Sequence, residues 1–255
     1  MKKYIVTPIS HLFSNKNNTI KILESSDYLE LRHYKIKHIK NNKILFHHSD
    51  LQLNFKFTNK EISALKSILN KYKNIKYVSF HIASCYRNPV LNKLNIFEKG
   101  NNKIKSDQMI ENAIFNMKIL KNYFPKINIS IENNNYYRTG AYEIVCDPYF
   151  LSDFINSLNI SFLFDYSHSL ISSYNLNMNF KTYFQSLPIN KINQIHLSRP
   201  IIKDNFYYDS HFLPVVDNFT KDLLSLKNLK FITVEYYKNV NNLLKINEKL
   251  KSIIL

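Results

Sequence analysis

Short runs of apolar and β-branched residues recur at regular intervals along the chain, separated by stretches rich in Asn, Lys and Ser. Runs of roughly four to eight such residues, bounded by turn-forming residues, are typical of β-strands buried in a sheet. Eight runs fit this description, and in several of them apolar and polar residues alternate. The pattern therefore predicts eight strands, at residues 4–10, 27–33, 43–49, 75–81, 127–133, 160–166, 192–198 and 231–237.

Helical periodicity lies between the later strands, where apolar residues recur every three or four positions. The segments with this pattern are 59–74, 106–124, 147–158 and 216–228, and a further segment, 239–255, closes the chain. Asp107, Asp147 and Asp217 lie at or near the starts of three of these helices. A carboxylate there can accept hydrogen bonds from free backbone N–H groups.

Strands that alternate with helices indicate a parallel sheet with right-handed crossovers. Eight such units in 255 residues are the size of a closed (β/α)8 barrel, so we expect an α/β TIM barrel formed by a single domain, residues 1–255. An open doubly wound sheet is the alternative, but Gly100 and Gly140 are the only glycines, too few for its phosphate-binding turn. We expect the long connection 83–105 to be a loop over the barrel mouth.

Composition excludes several classes of protein. Hydrophobic residues make up 45% of the chain, which is enough for a sizeable core. No apolar run approaches the roughly 20 residues of a membrane span, and the first residues lack a signal-peptide pattern, so we expect a cytoplasmic protein without a membrane partner. Cys85 and Cys146 are too few for a disulfide framework or a thiolate metal site.

The net charge of +16 is compatible with a polyanionic partner such as nucleic acid. The lysines, however, are dispersed along the chain among many Asn and Ile residues, rather than clustered in one segment. This distribution favours a solvated surface of biased composition over a nucleic-acid-binding face.

Six consecutive predicted strands end in a residue that can bind a metal ion. These residues are His47, His81, Glu132, Asp165, His196 and Glu235, and the following loops add His168, Asp209 and His211. Active sites of TIM barrels are built at the carboxyl ends of the strands. The alternation in residues 127–133 places Glu132 on the polar face, which points into the barrel. We therefore expect the nine side chains to converge at the barrel mouth.

Converging carboxylates and imidazoles would lose hydration and repel one another unless cations offset the cost. A metal site is therefore the favoured interpretation, although each of these residues alone would more often be an ordinary buried or solvated side chain. Histidine and carboxylate without thiolate favour Fe, Mn, Zn or Co, and nine donors are enough for two or three ions. His48 competes with His47, because adjacent residues of a strand face opposite ways.

Several segments around these residues resemble a family of multinuclear non-heme iron-dependent oxidative enzymes, within the xylose-isomerase-like superfamily of TIM barrels. The resemblance extends from about His47 to Glu235, and is carried by "ISIENNNYY", "CDPYFLSDFINSLNISFLFDYSH", "LPINKINQIHLSRP" and "YYDSHFLPV". His168 stands where many members carry Asn, and Ser198 and Arg199 stand where a small residue and a glycine are common.

Two other branches of the superfamily account for less of the sequence. Sugar isomerases and epimerases hold one metal ion through four ligands, which here would be Glu132, Asp165, His196 and Glu235. The other five donors would then have no use. Endonuclease IV holds three zinc ions, and "FDYSH" and "DSH" match its pattern, but its opening region and its glycine-rich turns have no counterpart in this sequence.

The resemblance to the iron enzymes implies a metal-dependent oxidoreductase with two or three iron ions, in a mixed Fe2+/Fe3+ state. Such an enzyme uses O2 to modify a residue, usually cysteine, of a ribosomally made precursor peptide, often with a partner protein that presents the leader peptide. The nine donors would then be metal ligands, with Glu132 bridging two ions and with Glu132 and His168 as catalytic residues. Arg199, just after His196, is the expected contact to substrate.

Three alternatives remain open from the sequence. One is a trinuclear zinc phosphodiesterase that acts on DNA, in the manner of endonuclease IV. The second is a sugar isomerase or epimerase with a single Mn or Co ion. The third is a non-catalytic module that binds peptide or nucleic acid.

Overall fold

Eight parallel strands close into a barrel in the computed structural model, which describes residues 2–32, 43–203 and 206–254. Four further strands form two antiparallel hairpins outside the barrel. In chain order the strands are β1 (Tyr4–Pro8), β2 (Tyr28–Leu31), β3 (Ile44–Gln52), β4 (Tyr77–His81), β5 (Tyr86–Leu91), β6 (Phe97–Lys103), β7 (Asn128–Glu132), β8 (Ser161–Asp165), β9 (Ile192–Leu197), β10 (Arg199–Lys203), β11 (Phe206–Phe212) and β12 (Phe231–Val234). The order around the barrel is β1-β12-β9-β8-β7-β4-β3-β2, so the first and last strands lie side by side.

This topology confirms the predicted α/β TIM barrel. Each of the eight predicted strands corresponds to one barrel strand, and most are a few residues shorter than predicted. The predicted strand 27–33 extends to residue 33, which lies outside the described residues.

Helices surround the barrel, and most begin at a polar capping residue. In chain order they are α1 (Lys16–Ser25), α2 (Asn59–Lys71), α3 (Ser106–Tyr123), α4 (Pro148–Leu158), α5 (Tyr166–Asn175), α6 (Phe180–Gln185), α7 (Asn218–Ser225) and α8 (Val240–Ile254). Asp147 and Asp217 cap α4 and α7, whereas Asp107 lies in the first turn of α3. The sequence periodicity does not predict α1, α5 or α6. Across the described part of the chain, no helix combines the length and the apolar character needed to cross a membrane.

The segment 83–105, expected to be a loop, contains a hairpin. β5 and β6 pair antiparallel, with Tyr86 opposite Lys103 and Leu91 opposite Phe97. β10 and β11 form a second hairpin directly after β9. Each hairpin follows the carboxyl end of a barrel strand, so the two hairpins flank the barrel mouth.

The interior of the barrel changes character along its axis. Near the amino ends of the strands, Val6, Leu45 and Phe231 form a buried apolar cluster, against which three tyrosine rings pack. Further along the strands the inward positions become polar, and Ser79 and Ser130 are buried there. The barrel is therefore filled by apolar side chains at one end and lined by polar ones at the other.

The two ends of the chain meet on one side of the barrel. The C-terminal helix α8 packs against α1 and β1. The fully buried Asn247 donates hydrogen bonds from its amide to Thr7 Oγ1 at 3.3 Å and to Ser25 Oγ at 3.1 Å. These bonds tie the last helix to the first strand and the first helix.

Asparagine occupies backbone positions that glycine would usually take. The chain has two glycines, and the left-handed conformation is adopted by Asn95, Asn102, Asn159 and Asn177. Asparagine tolerates this conformation better than most other residues with a side chain. Asn159 ends α4 in this way, in the turn that leads to β8.

Candidate metal centre

The structure brings all nine predicted ligands together at the carboxyl ends of the barrel strands. His47 lies in β3, His81 ends β4, Glu132 ends β7, Asp165 ends β8, His196 lies in β9, Glu235 follows β12, His168 lies in the first turn of α5, and Asp209 and His211 lie in β11. The strand register places His81 opposite Glu132 and Asp165 opposite His196. The side chains of these ligands therefore lie close together at the ends of neighbouring strands.

The first donor group consists of His47, His81 and Glu132. His47 Nε2 lies 3.0 Å from His81 Nε2 and 3.4 Å from Glu132 Oε2, and His81 Nε2 lies 2.5 Å from the same oxygen. Ser79 Oγ lies 2.8 Å from His47 Nδ1, which holds the ring with its other nitrogen toward Glu132. Two imidazole nitrogens and one carboxylate oxygen thus face a common point, as the ligands of a metal ion do.

The second donor group consists of Glu132, Asp165 and His168. Asp165 Oδ1 accepts the backbone N–H of His168 at 2.7 Å and so caps α5, which leaves Oδ2 directed at the centre. His168 Nδ1 donates to the carbonyl of Asn133 at 2.8 Å. Because a carbonyl only accepts, the neutral ring carries its hydrogen on Nδ1 and its lone pair on Nε2. Asp209 Oδ2 lies 3.5 Å from that Nε2.

The third donor group consists of Glu30, His196 and Glu235. His196 Nδ1 lies 3.2 Å from Glu235 Oε1, and on the other side of the ring Nε2 donates to Glu30 Oε2 at 2.9 Å. Glu235 Oε2 lies 3.2 Å from His211 Nε2, which lies 3.5 Å from Asp209 Oδ2. The hairpin β10–β11 therefore completes this side of the centre.

Glu132 connects the groups. Its Oε2 faces the pair His47 and His81, whereas its Oε1 lies 2.9 Å from His196 Nδ1. A carboxylate whose two oxygens face different sets of donors has the arrangement of a bridging ligand.

Three carboxylate oxygens of the centre are buried without a hydrogen bond within the described part of the chain. They are Asp165 Oδ2, Asp209 Oδ1 and Glu132 Oε2, the last of which faces the imidazole nitrogens of His47 and His81 without the geometry of a hydrogen bond. A buried oxygen left without a hydrogen bond costs about 1–3 kcal/mol, and more when it is charged. A bound cation would remove this cost, so the donor set fits metal ions.

The charge of the centre leads to the same conclusion. Among the described residues, Arg32 is the one arginine whose guanidinium contacts these carboxylates, through Glu30 and Glu235. Even with His168 and His196 protonated, three positive charges face five carboxylates: Glu30, Glu132, Asp165, Asp209 and Glu235. Buried charges of one sign are stable only when they are compensated. Divalent or trivalent cations held by imidazole and carboxylate ligands would supply the missing positive charge.

Burial and neighbouring charges separate the pKa values of the imidazoles. Burial lowers the pKa of His47 well below its ordinary value, so this ring is neutral. Burial also disfavours the charged forms of His196 and His168, but the carboxylates of Glu30 and Asp165 beside them raise the pKa to about 9 and about 10. Burial raises the pKa of Asp165 to about 6. Metal binding at this centre would therefore release protons.

Glu30 and Arg32 belong to the centre, although the strand-end pattern does not identify them. The fully buried carboxylate of Glu30 accepts from Gln194 Nε2 at 2.7 Å and from Arg32 Nε at 2.8 Å, and Arg32 also contacts Glu235. The signal that could have found Glu30 is its position between two leucines in a short buried strand. A carboxylate there needs a partner inside the barrel.

The structure distinguishes His47 from His48. His47 is 1% exposed and points into the centre, whereas the His48 ring packs near Phe80 on the other face of β3. Arg199 is exposed at the start of β10 and does not line the cavity at the centre. The buried thiol of Cys85 donates to a backbone carbonyl at 3.2 Å and lies outside the donor groups.

A cavity of about 530 Å³ opens onto the donor groups. It reaches His81, His168 and Asp209, and both hairpins contribute to its walls, for example through Phe97 and Tyr208. The side chains of His81 and Asp209 are 20% and 18% exposed, whereas the deeper ligands are almost completely buried. A substrate can therefore approach the centre from the side of the hairpins.

Comparison with known proteins gives one family and one fold. A family model described as RiPP precursor modification enzyme MbnB/TglH/ChrH matches residues 28–253. Solved structures similar to the chain include a D-tagatose 3-epimerase-like protein, with 16% identity, a TM-score of 0.61 and coverage of 100% of this chain and 97% of that chain. Another is 3-keto-D-glucoside 4-epimerase, YcjR, from E. coli, with 13% identity, a TM-score of 0.62 and coverage of 99% of both chains.

A third similar structure, SacUVDE, has 12% identity, a TM-score of 0.55 and coverage of 99% of both chains. At these identities the structural similarity establishes the barrel fold alone. No curated protein shows significant sequence similarity to the chain.

Proposed function

Since the chain belongs to the MbnB/TglH/ChrH family of enzymes that modify the precursors of ribosomally synthesised peptides, we propose that it oxidatively modifies a cysteine of such a precursor with O2, using two or three iron ions. The nine donors at the barrel mouth are the proposed iron ligands. The cytoplasm is the proposed location, and the buried, unpaired Cys85 and Cys146 suit a reducing compartment.

The observation that carries this proposal is the set of three adjoining donor groups. Glu132 belongs to two of them, and its Oε1 lies 2.9 Å from His196 Nδ1 of the third. A single-metal isomerase would need only four of these ligands. The three carboxylates face different sets of imidazoles: Glu132 Oε2 faces His47 and His81, Asp165 Oδ2 faces His168 and His196, and Asp209 Oδ2 faces His168 and His211. The arrangement therefore favours a multinuclear centre.

Each group has a proposed share in metal binding. His47 and His81 would hold one ion with Glu132. Asp165, His168 and Asp209 would hold a second, and His196, Glu235 and His211 complete the remaining coordination. Bound iron would supply O2 activation and one-electron chemistry, which amino-acid side chains lack.

Individual side chains have proposed roles beside the substrate and between the metal ions. His168 is fixed by the Asn133 carbonyl, so its Nε2 faces the cavity side of the centre, where we propose that it acts beside the substrate. Glu132 is 2% exposed and keeps its two oxygens between separate donors. Arg199, exposed on the hairpin, is the proposed contact to the backbone or carboxylate of the peptide.

Metal content distinguishes this proposal from its alternatives. We would purify the protein under low oxygen without added metal and measure its metals by elemental analysis and Mössbauer spectroscopy. The proposal predicts two to three irons per chain, part of them ferric. Three zinc ions per chain would instead direct attention to phosphodiester hydrolysis of DNA, and a single Mn or Co ion to sugar isomerisation; either result overturns the iron assignment.

The adjacent histidines of β3 provide a matched pair for the same measurement. His47→Ala removes a proposed ligand and should lower the iron content by about one ion per chain, because the first donor group loses an imidazole. His48→Ala removes the same side chain on the opposite face of the strand and should leave the iron content unchanged. Equal effects of the two substitutions would contradict the assignment of His47.

The oxidative step is tested on a peptide. A short cysteine-containing peptide encoded beside the gene would be incubated with the iron-loaded enzyme and O2, and its mass measured. The proposal predicts a mass change confined to the cysteine-containing fragment, and no change for the Cys→Ser peptide. An enzyme that holds its iron but changes the mass of the Cys→Ser peptide equally would contradict cysteine as the target.

The positive charge suggests the character of the partner. A net charge of +16 would attract an acidic precursor peptide, or an acidic protein that presents it. Binding of such a partner should weaken as the salt concentration rises, because exposed charges are screened over about 8–10 Å at physiological ionic strength. Equal binding at low and high salt would contradict a role for charge in recognition of this partner.

A further inference from the structure

A second cavity adjoins the one that opens onto the metal centre. Its volume is about 620 Å³. The two cavities share four lining residues: Leu94, Ile96, Tyr137 and Tyr208. None of the proposed metal ligands lines the second cavity, and the catalytic proposal does not use it.

Aromatic and aliphatic side chains make up much of its wall. The rings of Tyr137 and Tyr208 lie 6.5 Å apart at the boundary between the two cavities. On the outer side, Leu94, Phe206 and Tyr174 are 62%, 55% and 45% exposed. Large apolar side chains gathered at a concave surface are typical of a binding site.

Polar groups at the edge could fix the backbone of a bound peptide. Arg138 donates from Nε to the carbonyl of Asn175 at 3.0 Å, which anchors its guanidinium at this cavity. Its two terminal NH2 groups make no hydrogen bond to the described residues, and the side chain is exposed. They are therefore available to donate hydrogen bonds to peptide carbonyl or carboxylate oxygens.

We infer that the second cavity is a side-chain subsite for the precursor peptide, and that it binds a large apolar or aromatic residue close in sequence to the residue presented at the metal centre. This inference rests on the proposed function. The peptide is the occupant because it must pass the hairpins to reach the centre, and because the two cavities share a wall. An extended chain advances about 3.3 Å per residue, so neighbours of the reacting residue reach the adjoining cavity.

The test uses peptides that differ at one position. Fluorescein-labelled decapeptides of Gly and Ser, each with one Cys, would carry either Phe or Ala at one of the three positions on either side of the Cys. Their affinity for the iron-loaded enzyme would be measured by fluorescence anisotropy without oxygen. We expect one position at which Phe binds about tenfold more tightly than Ala.

Three substitutions connect that preference to the cavity. Phe206→Ala and Leu94→Ala each remove part of the apolar wall and should reduce the preference for Phe to less than about threefold. Ile202→Ala is the matched control, because Ile202 lies on the same hairpin as Phe206, is 61% exposed and does not line the cavity. It should leave the preference unchanged. Thermal unfolding and iron content verify that each variant is folded.

Each outcome bears on a separate claim. Two results would overturn the subsite and leave the proposed function standing, provided that the enzyme holds two or three irons. One is equal affinity for the Phe and Ala peptides at every position. The other is a preference for Phe that is unchanged in both Phe206→Ala and Leu94→Ala. Absence of iron overturns the proposed function and the subsite with it. A dimer that dissociates on Phe206→Ala, measured by size-exclusion chromatography, assigns the surface to a second copy of the chain and also overturns the subsite.

Discussion

At the scale of single residues, Glu30 determines how His196 faces the centre. Its carboxylate accepts the His196 Nε2–H at 2.9 Å, which leaves Nδ1 as the nitrogen directed at Glu132 and Glu235. A carboxylate behind a metal-binding histidine fixes the tautomer and the ring orientation and increases the basicity of the ligand. Glu30 is therefore a positioning residue in the proposed centre.

Glu30→Ala should lower the affinity for metal about 10- to 100-fold, because His196 loses the acceptor that orients it. Glu30→Gln keeps an oxygen at this place and should retain most of the affinity. The measurement is competition for Mn2+ or Zn2+ with a chromophoric chelator. If Gln and Ala reduce the affinity equally, the charge of Glu30 matters rather than its hydrogen bond to His196.

At the scale of secondary structure, the barrel strands could be predicted because they are buried on both faces and read as short apolar runs. The helix α5 could not, because "YSHSLISSYN" is rich in Ser and Tyr and poor in strong helix formers. It forms because Asp165 caps its start and tertiary contacts support it. The hairpin β5–β6 could not be predicted either, since most of its residues are exposed and Pro89 interrupts the strand pattern.

The capping box of α2 should make the stability of the protein depend on pH. Glu61 accepts the backbone N–H of Thr58 at 2.6 Å and pairs with Arg87 at 3.1 Å. Partial burial opposes ionisation, but these bonds lower the pKa of Glu61 below its ordinary value of 4.5. Because the folded pKa lies below the unfolded one, the stabilisation is complete above about pH 4.5 and is lost as the pH falls through the folded pKa.

Thr58→Ala should therefore lower the free energy of unfolding by about 1 kcal/mol at pH 7, measured by urea denaturation. The destabilisation by Glu61→Gln should shrink as the pH falls below 4.5, because the wild-type carboxylate is then protonated too. Glu248→Gln, on the exposed face of α8, is the matched control. A destabilisation by Glu61→Gln that is constant across this range would contradict the charged capping box.

The two hairpins should respond differently to metal. β11 carries Asp209 and His211, and His211 holds a left-handed backbone, φ 47°, that residues with a side chain rarely adopt. Coordination of both side chains would stabilise this strand, whereas β5–β6 supplies no ligand. Removal of metal with EDTA should raise amide hydrogen exchange in β10–β11 by more than in β5–β6. Equal increases in the two hairpins would indicate general loosening rather than loss of ligation.

At the scale of the whole molecule, topology explains why the ligands could be predicted. Parallel strands of a barrel end at one face, so His47, Glu132 and Asp165 needed only correct strand boundaries to be placed together. Glu30 and Arg32 are different, because their role arises from contacts across the barrel to Gln194, His196 and Glu235. Sequence spacing does not report contacts over more than 160 positions.

Because α8 packs against α1 and β1, we expect the protein to unfold in one cooperative transition. Asn247→Ala removes two hydrogen bonds inside this contact and should lower the free energy of unfolding by about 1–2 kcal/mol. Calorimetry of the metal-loaded protein should show a single transition for both proteins, shifted to lower temperature in the variant. Asn241→Ala, exposed on the same helix, is the control, and a second transition would contradict the single domain.

The left-handed turn at Asn159 has a consequence for protein engineering. It precedes β8 and therefore lies at the amino ends of the barrel strands, opposite the face that carries the metal centre. In barrels of this kind the amino face governs resistance to heat and the carboxyl face governs chemistry. Glycine at such a turn relieves the steric crowding that a side chain suffers in this conformation. At Asn159 this chain therefore keeps a position at which its heat tolerance can be raised while every residue within reach of the substrate stays the same.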